Sequence, residues 1–189
     1  MSTSSTTSTR QLRAITVMFC VAAFVLVADT ISKTLVLRDL PGRPPVRLLG
    51  GLITLRLLYN PGAAFGLATG YTVVIAVIAL GVIVFVVRTA RRLGSIAWSI
   101  ALGLLLGGAA GNLSDRLVRA PGPFRGHVVD WINFPHFPWT FNLADSAIVC
   151  AAVLIGFLAF LGKPIQGAAL PSPSAPSAQS AEPEGGDPT

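Results

Sequence analysis

The chain has 189 residues, 52% of them hydrophobic and 12% charged. A soluble domain carries about 25% charged residues, so the composition excludes an ordinary soluble globular protein and points to an integral membrane protein with room for about four spanning helices of about 20 residues. The net charge of +6 rises to +9 for residues 1–163 once the tail acids Glu182, Glu184 and Asp187 are set aside; without a basic patch interleaved with aromatic residues, this charge fits anionic lipid head groups rather than nucleic acid.

Residues 1–12 open Ser/Thr-rich and read as a disordered segment ending in basic residues, with Arg10 in it and Arg13 just beyond. The apolar run Ala14 to Ala28 then resembles a signal peptide. However, the polar group after it, Asp29-Thr-Ile-Ser-Lys33, is no small-x-small cleavage site, and apolar character resumes through Leu37. The reading is one retained helix, about 13–36. Residues 38–59 hold Pro41, Gly42, Pro44, Pro45, Gly50 and Gly51 and cannot span a membrane; Leu52 to Tyr59 suits a short strand near its surface.

The turn Asn60-Pro-Gly-Ala-Ala-Phe-Gly66 leads into an uncharged second helix, about 67–87. The basic turn Arg88 to Arg92 follows, and then a third helix, about 95–114, on which Ser95, Ser99, Gly103, Gly107 and Gly111 recur every fourth residue and form a smooth face for a neighbouring helix. A proline-broken loop covers 117–138. The last apolar run gives a fourth helix, about 139–161, and the Pro/Ser/Ala-rich segment 163–189 reads as a disordered tail. The fold expected is an all-α membrane protein whose four-helix membrane domain is residues 13–162. Basic residues outnumber on the far side, but the dense short turn Arg88 to Arg92 and the N-terminal pair weigh more, placing both termini in the cytoplasm.

Under that topology Asp29, Asp115, Asp130 and Asp145 fall in one layer at the outer side. Asp29 and Lys33, at i and i+4, can pair on one helix face. Asn112 reaches Asp115 and Arg116 at i+3 and i+4, and Asn142 reaches Asp145 at i+3. Asp115 has Arg116 or Arg119 nearby, whereas Asp130 and Asp145 have no local cation. Two such acids in a low-dielectric site can share one proton and supply a base and an acid for attack of water on an amide. Other roles stay open: Asp145, in the first turns of its helix, suits a cap as well as catalysis, Asp29, Lys33 and Asp115 suit structural pairing, and Arg116 suits an ion pair with Asp115. Trp131, Phe134 and Trp139 suit interface anchors. Cys20 and Cys150 read as small core residues, and the isolated His127 and His136 give no metal site. A proton or cation relay is the rival reading, but the acids cluster on one side rather than along a path across the membrane.

Five segments in order resemble the lipoprotein signal peptidase (signal peptidase II) family: Asp29-x-x-Ser-Lys33, Asn60-x-Gly-Ala-Ala-Phe-Gly66, Gly107 through Arg116, Val128-Val-Asp-Trp131 and Phe141-Asn-Leu-Ala-Asp-Ser146. The resemblance runs from residue 14 to 161. It implies a four-helix bacterial inner-membrane aspartic endopeptidase that needs no cofactor. Its substrate would be a lipid-modified prolipoprotein, cut before the diacylglyceryl-modified cysteine near the extracytoplasmic face. It places the catalytic pair on Asp130 and Asp145 and polar neighbours on Asn60, Asn112, Arg116 and Asn142. It also implies a small extracytoplasmic β-cradle and inhibition by the cyclic peptide globomycin. Ser114 and Trp131 depart from the family's usual residues, and the tail is an extension the resemblance does not explain.

Overall fold

The computed structural model describes residues 3–62, 71–135 and 137–166. Its helices are α1 (Thr3–Asp39), α2 (Thr72–Thr89), α3 (Ile96–Val118) and α4 (Leu143–Phe160). All four are long and apolar enough to cross a membrane. The strands are β1 (Val46–Leu48), β2 (Ile53–Asn60), β3 (Val128–Asn133) and β4 (Thr140–Phe141), and they form one antiparallel sheet in the order β1-β2-β3-β4.

Helix α3 is the centre of the bundle and touches each of the other three. In its most apolar stretch 61% of residues are buried, against 28%, 17% and 22% in α1, α2 and α4. Lipid tails are as apolar as leucine, so helices in a membrane gain little from apolar contact itself and need close approach or polar contact. The glycines of α3 supply the approach. A Cβ at Gly103 would lie 2.7 Å from the Met18 carbonyl oxygen, and one at Gly107 2.6 Å from that of Ala22, so this face carries α1. Gly108 faces the other way, with a Cβ position 2.5 Å from the Ala144 carbonyl oxygen of α4. At the opposite end of α3, the Ile165 carbonyl accepts from Gly94 and Ser95, and the Trp98 indole donates to the Lys163 carbonyl at 2.8 Å.

Several expectations are corrected. α1 begins at Thr3, inside the segment read as disordered, because the Ser/Thr run continues a helix already committed downstream. α4 begins at Leu143 rather than Trp139: β4 pairs with β3, and Asn142 is the N-cap. The segment 117–138 is not all loop, since Val128 to Asn133 pairs on both sides, with β2 and with β4. Its hairpin is held by Asn133, whose Nδ2 donates to the carbonyls of Phe137 and Trp139, and by the rings of Phe134, Phe137, Trp139 and Phe141. Cys20 and Cys150 are exposed on the outsides of α1 and α4, not in the core. Gly66 and its neighbours 63–65, His136 and residues 167–189 lie outside the described residues.

Candidate active site

The sheet and the helix ends meet over one polar layer. Residues paired across antiparallel strands share a face, and Leu58 pairs with Asp130 and Asn60 with Val128. Asn60 and Asp130 are therefore diagonal neighbours on one face of the sheet, within reach of each other. Asn60 Nδ2 donates to Asp130 Oδ2 at 2.9 Å. Its own Oδ1 accepts from the Gly62 amide at 2.9 Å, a local turn that sets the orientation of the carboxamide.

Asp145 is positioned by the start of its helix. Asn142 Oδ1 accepts from the Asp145 amide at 2.9 Å, and Asp145 Oδ2 accepts from the Asn142 amide at 3.2 Å, a reciprocal capping box. With its oxygen committed to the cap, the Asn142 carboxamide turns its Nδ2 outward, where it donates to Asp130 Oδ1 at 2.7 Å and to Asn112 Oδ1 at 3.2 Å. Asn142 thus joins the two candidate acids. The open question of whether Asp145 caps its helix has a definite answer in the geometry: one oxygen serves the cap, and the other accepts from Asn112 Nδ2 at 2.7 Å.

Below the pair lies an ion cluster. Lys33 Nζ is 2.6 Å from Asp29 Oδ2, 2.8 Å from Asp115 Oδ2 and 3.2 Å from Asn112 Oδ1. Two carboxylates and a carboxamide oxygen surround it, which is how an ammonium with 1% exposure is tolerated. Asp115 also pairs with Arg119 at 2.5 Å and accepts from the Val129 amide at 3.2 Å. Asp29 Oδ1 accepts from the Ala144 amide at 3.0 Å, so α1 satisfies one of the unpaired N–H groups at the start of α4.

Two pairings differ from the sequence reading. Asn112 turns away from Asp115 and Arg116 and bonds instead to Asp145, Lys33 and Asn142 across three elements. Arg116 makes no ion pair with Asp115 among the described residues; its Nη2 donates to the Gly62 carbonyl at 2.6 Å, and its buried Nη1 has no hydrogen-bond acceptor there. Intrahelical spacing suggested both of the unrealised contacts, and tertiary packing overrode it. Arg56 carried no sequence signal, yet its Nε donates to Thr140 Oγ1 at 2.8 Å and ties β2 to β4 beside the cap.

Asp130 is 1% exposed. Burial, and next the charge of Asp145, push its carboxyl up from 3.8 to about 7, against the pull of the Asn60 and Asn142 hydrogen bonds and the more distant Lys33. Among the described residues, ion pairs reach Asp29 and Asp115 but neither Asp130 nor Asp145. The four carboxylates of this layer face three cations, Lys33, Arg116 and Arg119, so a single proton on the Asp130–Asp145 pair makes the layer neutral. Among the described residues, no three His, Cys, Asp or Glu side chains group as a metal centre would require.

Residues 21–161 match the family described as Signal peptidase (SPase) II. A lipoprotein signal peptidase of Streptomyces coelicolor is 50% identical over 154 residues, covering 82% of this chain and 75% of that protein. One of Streptomyces griseus is 50% identical over 153 residues, covering 81% and 78%. A solved bacterial membrane enzyme, determined by the in meso method at 2.3 Å resolution, superposes with a TM-score of 0.67 at 25% identity over 77% of this chain and 87% of its own. With a family match across most of its length and relatives at half identity, this chain belongs to the signal peptidase II family.

Proposed function

We propose that the protein removes signal peptides from prolipoproteins as an aspartic endopeptidase, with Asp130 and Asp145 as its catalytic pair. The observation that carries this reading is the joint hold of Asn142 on both acids: its side chain donates to Asp130, and its main chain to Asp145. Every direct partner described for the two carboxylates is an amide donor. Such donors orient a carboxylate without neutralising it, leaving the pair able to exchange one proton. A relay or a purely structural cluster has no need for two acids without counter-ions beside two others that have them.

In the proposed mechanism, water between the carboxylates gives a proton to the ionised acid as its oxygen attacks the carbonyl carbon of the residue before the diacylglyceryl-modified cysteine. The protonated acid stabilises the oxygen that gains charge. The tetrahedral intermediate then collapses: the C–N bond breaks, the nitrogen takes a proton from the pair, and the pair returns to its singly protonated state. Asn60, Asn112 and Asn142 hold the carboxylates. Arg116 fixes the chain that follows Asn60 through the Gly62 carbonyl, and its Nη1, without an acceptor among the described residues, would meet a substrate carbonyl. Asp29, Lys33 and Asp115 hold α1, α3 and α4 together beneath the site.

The sheet forms an extracytoplasmic cradle above the bilayer in this reading, and both chain termini are cytoplasmic. The site then lies at the outer edge of a bacterial membrane, where water and a lipid-anchored peptide meet. The residue ranges 1–12, 13–162 and 163–189 serve as N-terminal segment, peptidase domain and tail. The test is incubation of the purified protein with a diacylglyceryl-modified prolipoprotein, with and without globomycin. Cleavage on the N-terminal side of the modified cysteine, blocked by globomycin, is the expected result; an intact substrate with a folded protein contradicts it.

A further inference from the structure

We propose that Lys33 is a positioning residue for this reaction: its ammonium fixes which way the Asn112 carboxamide faces, and so presents an N–H rather than an oxygen to Asp145. The inference rests on the reading of Asp130 and Asp145 as the catalytic pair and assigns Lys33 a part beyond structural ion pairing. A carboxamide is nearly symmetric in shape, and packing alone does not choose between its two orientations. Its neighbours choose. Asn112 Oδ1 receives Lys33 Nζ at 3.2 Å and Asn142 Nδ2 at 3.2 Å, which turns Nδ2 toward Asp145 Oδ1 at 2.7 Å.

Lys33 matters more than Asn142 to this choice because of what stands behind it. Without the ammonium, Asp29 Oδ2 and Asp115 Oδ2, now 2.6 and 2.8 Å from Nζ, would lack their shared cation. Asp29, then without a cation, and Asp115, then with Arg119 alone, would draw the Asn112 NH2 toward themselves. The flipped amide would then set its oxygen against Asp145, a contact that an ionised carboxylate cannot accept. The route from Lys33 to the reacting pair is thus one side chain long, and Lys33 itself touches neither candidate acid.

The experiment is a double-mutant cycle on cleavage of a purified diacylglyceryl-modified prolipoprotein in detergent micelles, using wild type, K33M, N112A and K33M/N112A, with the thermal midpoint of each. A positioning role predicts that K33M lowers kcat about 10- to 100-fold, the scale of a misplaced catalytic group. KM stays within about twofold, because ground-state substrate binding is untouched. The double variant should lie within about threefold of N112A, since with no amide left to orient Lys33 keeps only its distant charge on the pair. Losses in kcat that multiply independently, or a K33M enzyme with a lower thermal midpoint but unchanged kcat, overturn the proposal and leave Lys33 a structural residue. Should K33M fail to fold, the cycle is run in D29N, where D29N/K33M removes one carboxylate along with the ammonium and Asp115 keeps Arg119. D130N and D145N are assayed alongside. If they are dead while the cycle is additive, only the Lys33 proposal falls; if they are active, the catalytic pair and this proposal fall together.

Discussion

Asp130→Asn isolates what it costs to bury that carboxylate beside Asp145. The native carboxyl titrates at about 7 instead of 3.8. Between those values the folded state binds more protons than the unfolded state, so stability falls as pH rises and the full penalty is present above about pH 7. A rise from 3.8 to about 7 makes that penalty about 4 kcal/mol. Asparagine does not titrate and escapes it. The variant has its own cost, because Asp130 accepts from Asn142 at 2.7 Å and from Asn60 at 2.9 Å, and a carboxamide must turn its NH2 against one of these donors. That loss is about 1–3 kcal/mol. The Asn variant should therefore be less stable than wild type at pH 4 and more stable, by about 1–3 kcal/mol, at pH 8. Thermal unfolding in detergent reads this directly, at about 2–4 °C per kcal/mol for a chain of this size. A midpoint difference that is the same at both pH values would refute the reasoning, since it would mean that Asp130 carries no burial penalty.

The same raised carboxyl predicts that kcat/KM for lipidated substrate declines above about pH 7, as the pair loses its shared proton; a profile level to pH 9 would contradict it. Gly107→Ala sets a methyl group 2.6 Å from the Ala22 carbonyl oxygen, and should lower stability by about 1–3 kcal/mol. Gly81→Ala, with nothing within 4 Å of the new Cβ, is the control and should unfold no earlier than wild type. Asn142→Ala removes the helix cap, about 0.5–2 kcal/mol. It also takes the side-chain donor from Asp130, so kcat should fall much further than the thermal midpoint implies; loss of both in proportion would make Asn142 a cap alone.

Apolar runs made the four helices legible, because a spanning helix must hide its own backbone polar groups and needs a long apolar surface to do so. The start of α4 was not legible from that signal, since Trp139, Thr140 and Phe141 suit the apolar run and β4 equally well. The finer clue was Asn142 with an acid three residues on, the mark of a capping box. β3 was hidden by the prolines on either side, although Val128, Val129, Trp131 and Ile132 are β-branched or aromatic. Apolarity also failed to separate lipid-facing from buried positions, as Cys20 and Cys150 illustrate.

The polar layer was legible as a set of residues but not as a wiring diagram. Asp29 with Lys33 lay within one helix at i and i+4, and pairs so. Lys33 with Asp115, Asn112 with Asp145, and Asn60 with Asp130 join residues on different elements, and their partners follow from how α1, α3, α4 and the sheet pack. Spacing along α3 pointed Asn112 and Arg116 toward Asp115. The cations Lys33 and Arg119 already occupy that acid, which frees Asn112 for Asp145 and Arg116 for Gly62.

In the proposed mechanism Asp130 and Asp145 together perform the cleavage. The most direct measurement is single-turnover processing of a diacylglyceryl-modified prolipoprotein by purified D130N and D145N, each first shown to be folded and membrane-inserted. No detectable cleavage by either variant is the expected result. Near-normal turnover by either one would contradict it.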